Sequence, residues 1–251
     1  MEFFLGIDDT DVLGHKPGTG RLARELAAEL EQDGLGRLIG VVRHQLLIDP
    51  RIPYTSHNSP ACIILTTSAT TGNGIEQRLF DAAADFLTAR HAIGSDPGLC
   101  LARAGSVTAP IIGFGYRASS EVVRKDEAQT LAAGGGVRLA ELGGTGDGII
   151  GALAAVGLTA DGNGGRFLEV AGGVRDFGEF VTAGALRGRG ISVLSMSRNG
   201  EVVPADAMIA TGDRVRPRMI GGRPVLLVEP NDSGWRCFDR KDPHTDTTDH
   251  T

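Results

Sequence analysis

An apolar run that stops abruptly in charge constrains this chain more than any other feature: Phe3-Phe4-Leu5-Gly6-Ile7 leads straight into Asp8-Asp9-Thr10-Asp11. Glu2–Ile7 reads as a short strand, and its end sets three carboxylates within one turn, where a sheet's carboxyl edge meets solvent. Oxygens at that density repel one another, so the arrangement is costly unless a cation or a proton sits among them. Hard oxygen ligands suit Mg²⁺, which in turn tends to arrive with phosphate.

Strands and helices alternate along the rest of the chain. Gly18–Asp33 predicts a helix with Leu22, Leu26, Ala27 and Leu30 on one face and Gly34 as its stop. Leu38–Leu47 reads as a strand with a polar centre, Arg43-His44-Gln45, and Ala61–Thr67 as a central strand. An amphipathic helix over Ile75–His91 and a strand over Leu99–Ala104 follow. Past Gly115–Arg124, where a boundary is expected, come a helix (Asp126–Ala133), a strand (Val137–Leu142), a Gly-rich turn and a small-residue helix (Ile149–Val156). Phe167–Ala171, Ile191–Met196 and Met208–Val228 read as β structure, with Gly221-Gly222 as a two-residue hairpin turn. The organisation is α/β (α+β).

The chain's 251 residues suit one large or two small domains. The expected division is a nucleotide domain over 1–120, an α+β domain with the Gly-rich turn over 121–235, and a disordered tail over 236–251. Glycine, at 37 residues, stands at about twice the usual roughly 7% and crowds between Gly134 and Gly190, which implies tight turns and close backbone approaches there. A net charge of −6 means that nucleic acid would have to bind through a local patch or a partner. Aromatic content of 5% argues against an extensive base-stacking surface. Cys62, Cys100 and Cys237 form no CxxC pair, which points to a reducing compartment without structural zinc. No apolar run approaches the ~20 residues that span a membrane, and the expected location is cytoplasmic.

Three readings of the acidic cluster stand. Asp and Thr can cap a surface turn, although three aspartates in four positions exceed what capping needs. Asp9-Thr10-Asp11 also fits the DxD pattern of a haloacid-dehalogenase-type phosphatase, but the Gly-Thr that should follow is missing. Its late acidic pair is missing too, since Gly212-Asp213 is followed by Arg-Val-Arg-Pro. The third reading is a metal–nucleotide site. It gains from Lys16-Pro17-Gly18-Thr19-Gly20 just before the helix, where free backbone N–H groups and the positive dipole end form an anion nest. The nest is not a Walker A loop, which would end in Lys-Ser/Thr.

Gly6-Ile7-Asp8-Asp9-Thr10-Asp11 followed by Gly18-Thr19-Gly20 resembles the N-terminal kinase-like domain of the archaeal isoleucine-tRNA agmatinylcytidine synthetase family. Ile48-Asp49-Pro50-Arg51-Ile52-Pro53-Tyr54 and Gly144-Thr145-Gly146-Asp147-Gly148-Ile149-Ile150-Gly151 are similar to two further segments of that family, in the same order. The resemblance covers roughly Met1–Arg175 and implies a kinase-like domain joined to a ferredoxin-like one. It implies ATP and Mg²⁺ as cofactors, phosphoryl activation of a cytosine carbonyl and displacement of the phosphate by an amine. Asp8, Asp9 and Asp11 would hold Mg²⁺, and Thr19 matches a threonine that becomes phosphorylated; all four are the expected catalytic residues. Lys16, Gly18, Gly20, Gly144, Thr145, Gly146, Asp147 and Gly148 are the expected nucleotide contacts.

The chain also departs from that family. These residues contain none of its CxxC pairs, a short homologue without its OB-fold and zinc ribbon is expected, and the basic run after Pro53-Tyr54 is replaced by Thr55-Ser56-His57-Asn58-Ser59-Pro60. The expected partner is therefore ATP with a cytidine of tRNA, or a smaller acceptor, and an amine; oligomeric state stays open. The Gly144–Gly151 turn lacks the spacing of a dinucleotide fingerprint. Its glycines serve either tight helix–sheet packing or nucleotide contact, and Asp147 either caps the helix or faces the nucleotide. Arg43, His44, His57 and Asn58 are candidate substrate-pocket residues.

Overall fold

β1 (Glu2–Asp8) is apolar from Phe3 to Ile7 because it runs through the middle of a sheet covered on both faces. Its neighbours, β3 (Ala61–Thr66) and β4 (Gly98–Arg103), both run antiparallel to it, with Cys62 and Cys100 flanking Gly6. Alternate side chains of a strand face opposite ways. Phe3, Leu5 and Ile7 meet α1 (Thr19–Gln32) and α2 (Ile75–Arg90) through Leu22, Leu26, Leu30, Leu79 and Phe86. Phe4, Gly6 and Asp8 face the other layer, α5 (Gly148–Asp161), behind which pack α3 (Ala109–Ala118) and α4 (Lys125–Gly135). The computed structural model describes residues 1–14, 17–53, 55, 57–68, 74–197, 201–232 and 234–238.

With β2 (Arg37–Arg43) beside β3, residues 2–103 form a βαββαβ unit of strand order β4-β1-β3-β2, which is ferredoxin-like topology. Sequence reasoning expects that unit in residues 121–235; the topology sets it in the first segment. β5 (Arg138–Glu141) extends the sheet beyond β4, and β6 (Arg166–Val170) extends it beyond β2. From β6 the order continues through β10 (Arg218–Ile220), β11 (Arg223–Asn231), β12 (Gly234–Cys237), β9 (Met208–Ala210) and β7 (Phe180–Thr182). β8 (Ser192–Ser195) pairs with β11, and the short α6 (Ala183–Gly188) follows β7. The sheet passes the Gly115–Arg124 region without a break, since β5 pairs with β4 and α5 lies on β1.

Local chemistry explains the details. Gly221 and Gly222 both have positive φ (59° and 73°), as a type I′ hairpin between Ile220 and Arg223 requires. The predicted Leu38–Leu47 strand ends at Arg43; His44 and Leu46 instead bond irregularly to Pro60 and Asn58. The expected tail at 236–251 begins inside β12, and residues 239–251 lie outside the described residues. No helix among the described residues is long and apolar enough to cross a membrane.

α5 is buried from Gly148 through Thr159 at every position but Ile150, and only a core helix can be apolar all round. It lies so close to the sheet that side chains are excluded on both sides of the contact. A Cβ on Gly6 would overlap the Ala152 carbonyl, and one on Gly151 would overlap Asp8 Oδ2. The glycines of this segment thus serve packing, and the packing aims the helix start at the end of β1.

Candidate functional site

Asp8, Asp9, Asp11, Thr19, His57 and Asn58 line one crevice of about 50 Å³ at the end of β1, with Thr55 and Ser59. Asp8 continues the strand's alternation and turns toward α5. Asp9 breaks it: its φ of 52° is left-handed, a conformation Asp tolerates at a cost of about 1 kcal/mol and one that clusters at functional sites. Asp11 lies with Oδ2 beside Gly18 and accepts a hydrogen bond from Thr55 Oγ1 at 3.4 Å. Gly18 begins α1 and no side chain caps it, so Asp11 and the open helix N-terminus share one corner. Thr10 Oγ1 donates to Thr19 Oγ1 at 3.0 Å, which leaves the Thr19 proton for another acceptor.

The electrostatics follow from crowding. Burial, with Asp9 and Asp11 nearby, pushes the Asp8 carboxyl up to about 8 against a backbone hydrogen bond from Asp9 that favours ionisation. Burial first, then Asp96, Asp11 and Asp147, push Asp9 up to about 6. Among the described residues no three His, Cys, Asp or Glu side chains are arranged as a metal-holding group. The expected three-carboxylate Mg²⁺ set is therefore absent as a preformed cage, because Asp8 turns under α5 while Asp11 turns to α1. The donor chemistry still fits the ion: Mg²⁺ takes one or two carboxylates together with water and phosphate oxygens. A cation would also relieve two carboxyls that burial and repulsion hold back from ionising.

A second cavity of about 190 Å³ opens from Asp8 and Asp9 on the α5 side. Leu46, Ile52, Val122 and Ile150 give it apolar walls, and Asp147, Glu121 and Asn58 give it polar ones. Asp147 makes no capping hydrogen bond to α5, so its carboxylate is left to this cavity. Of the Gly-rich turn, only Asp147 and Gly148 reach the cavity. Gly144, Thr145 and Gly146 form a latch instead: Thr145 donates from N and Oγ1 to the Asp96 carboxylate at 2.7 and 2.8 Å, and Lys125 Nζ donates to its carbonyl at 2.6 Å.

The other candidates divide. His57 is exposed at the crevice, and Asn58 lines both spaces while its Nδ2 donates to the Leu47 carbonyl at 2.8 Å. Arg43 lies in the neighbouring cavity, with Nε donating to Ser59 Oγ at 2.9 Å. His44 is a core residue: it is 3% exposed, 2.9 Å from Thr159 Oγ1, and burial pushes it down to about 4. Lys16 lies outside the described residues. Sequence reasoning missed Asp96, whose only signal is its turn before β4, and Arg24 and Arg175, which become neighbours only through folding.

A central strand ending in carboxylates beside an open helix start, within a mixed sheet, defines an α+β fold with its crevice at the strand end. Solved structures with this fold include apo TiaS, an agmatidine synthetase acting on an isoleucine tRNA, with 24% sequence identity and a TM-score of 0.50. The complex of TiaS with that tRNA and ATP shows 25% identity and a TM-score of 0.52, and the complex with the tRNA, AMPCPP and agmatine 24% and 0.51. Each comparison covers 62% of this chain and 35–36% of the other, so the chain spans about a third of the length of those proteins. No protein-family model matches the sequence, and no curated protein matches it.

Proposed function

We propose that this chain carries the core of an ATP- and Mg²⁺-dependent, ligase-type RNA-modifying enzyme. It would activate an acceptor, a cytidine of tRNA or a smaller substrate, by phosphoryl transfer for displacement by an amine. The observation that carries the reading is the crevice that gathers Asp8, Asp9, Asp11 and Thr19 at the uncapped start of α1. The TiaS complexes with ATP, agmatine and tRNA support it at the level of the fold.

Asp9 and Asp11 would share a Mg²⁺ with phosphate oxygens, with Asp8 behind them. The ion, when bound, neutralises charge that develops on phosphate. Gly18 and Gly20 would offer backbone N–H groups to the phosphate, and Thr19 its hydroxyl. The 190 Å³ cavity, apolar with a carboxylate rim, suits an amine on an aliphatic stem. The two expected units, 1–120 and 121–235, enter this reading as segments that both furnish the site: β1 and α1 from the first, Asp147 and Gly148 from the second.

Asp8→Asn, Asp11→Asn and Thr19→Ala test the reading. Each should lower Mg²⁺-dependent ATP turnover by about 100-fold or more, with ADP and AMP resolved and the fold checked by circular dichroism. Wild-type rates in both aspartate variants would remove the metal–phosphate site. An acyl phosphate trapped on Asp8 or Asp9 would favour a phosphohydrolase with an aspartyl nucleophile instead.

A further inference from the structure

Thr10 stands in the middle of the acidic run and takes no part in the crevice around it. Asp9 and Asp11 on either side line that crevice, whereas Thr10 is 0% exposed and lines none of the three cavities that meet there. Valine has the same branched shape without the hydroxyl, so a threonine at a fully buried position costs free energy unless its hydroxyl is bonded. The bond it makes is to Thr19, Oγ1 to Oγ1, at 3.0 Å. Among the described residues neither hydroxyl makes another hydrogen bond.

Both ends of that bond are anchored. The Thr10 carbonyl accepts from Ala92 N at 2.9 Å, which ties the residue to the turn between α2 and β4. Thr19 is the first residue of α1, and Leu22 and Ala23 just behind it are buried in the core. A threonine in a helix ordinarily divides between two χ1 rotamers, which would put its hydroxyl in two places. The contact with Thr10 selects one of them. It also occupies a lone pair of Thr19 Oγ1, so the single Thr19 proton points away from Thr10, and Thr19 lines the crevice.

We propose that Thr10 is a positioning residue: it holds the Thr19 hydroxyl in one rotamer, with the Thr19 proton directed at the phosphate group that the crevice receives. The phosphate rests on the proposed function; the tie between the two hydroxyls rests on the geometry alone. Thr10 touches no ligand, so its effect reaches the reaction only through Thr19. Mg²⁺ and the backbone N–H groups at the start of α1 would hold the phosphates with or without that tie. Losing it should therefore slow the chemical step and leave the affinity for ATP nearly unchanged.

Two measurements test the role of Thr10, one of them without ATP. In the ligand-free protein, isotope-labelled in its threonine methyl groups, three-bond couplings at Thr19 should report a single χ1 rotamer for the wild type and for Thr10→Ser. Thr10→Val should give an averaged value, and Thr10→Ala repeats the comparison if valine unfolds the protein. In Mg²⁺-dependent ATP turnover, Thr10→Val should lower kcat about 10-fold or more while KM for ATP stays within about 2-fold. Its melting temperature should stay within about 4 °C of the wild type, and Thr10→Ser should retain most of the rate. Because Thr10 acts through Thr19, adding Thr10→Val to Thr19→Ala should cause no further loss. A Thr19 side chain that averages in the wild type, or keeps one rotamer without the Thr10 hydroxyl, overturns the role of Thr10. So does a wild-type kcat in Thr10→Val, or a double variant in which the two losses add. A wild type that locks Thr19 but turns over no ATP overturns the proposed function and leaves the tie between the two threonines standing.

Discussion

His44 shows how burial converts a residue that reads as functional into a structural one. Its ring is held at about 4 by burial, against about 6.5 in an unfolded chain. Between those values the unfolded state binds the extra proton and the folded state does not. Stability therefore falls as pH drops through that window, by about 1.4 kcal/mol per unit. His44→Gln can still meet Thr159 and does not titrate, so its unfolding free energy from urea titrations should fall less between pH 6.5 and 4 than that of the wild type. Equal slopes would mean that the ring gains its proton without unfolding. The residues legible in the sequence, Asp8, Asp9, Asp11 and Thr19, share another trait: all lie within one strand end and the next helix start, so chain connectivity alone brings them near one another.

At the scale of an element, α5 sets the geometry of the site. Glycine inside a helix ordinarily costs about 1 kcal/mol relative to alanine. Gly134→Ala in α4, where an added Cβ meets nothing within 4 Å, should therefore stabilise the protein by about 0.5–1 kcal/mol. Gly151→Ala should do the opposite, losing about 1–3 kcal/mol, because its Cβ would overlap Asp8 Oδ2 and force the helix or the carboxylate to move. Denaturation midpoints of the two variants read the difference directly, and a stabilised Gly151→Ala protein would show that α5 does not bear on Asp8. Turnover should fall with Gly151→Ala and hold with Gly134→Ala.

For the whole molecule, the sheet joins what the sequence divides. β5 lies on β4 and α5 on β1, so residues on both sides of position 120 share one core. The single tryptophan, Trp235 on β12, reports on the far end of that sheet, while circular dichroism follows the helices, of which α1, α2 and α5 flank β1. The two signals should give coincident urea transitions, as expected when one cooperative unit unfolds. Separate midpoints would restore 1–120 and 121–235 as independent units.

The sequence by itself determined β1, α1, β3, α2 and β4, the acidic strand end, the glycine-rich helix start and the Gly221-Gly222 hairpin, but not α3, α6, β7 or β12. Each of the former depends on local periodicity, turn chemistry or a few consecutive residues. Only the tertiary structure decided that the ferredoxin-like order lies in residues 2–103, that Asp8 turns under α5 and that Gly144–Gly146 latch onto Asp96. It alone lined up Arg43, Arg166 and Arg218. Those features depend on strand register and helix packing between segments up to 175 positions apart, for which no local pattern in the chain carries a signal.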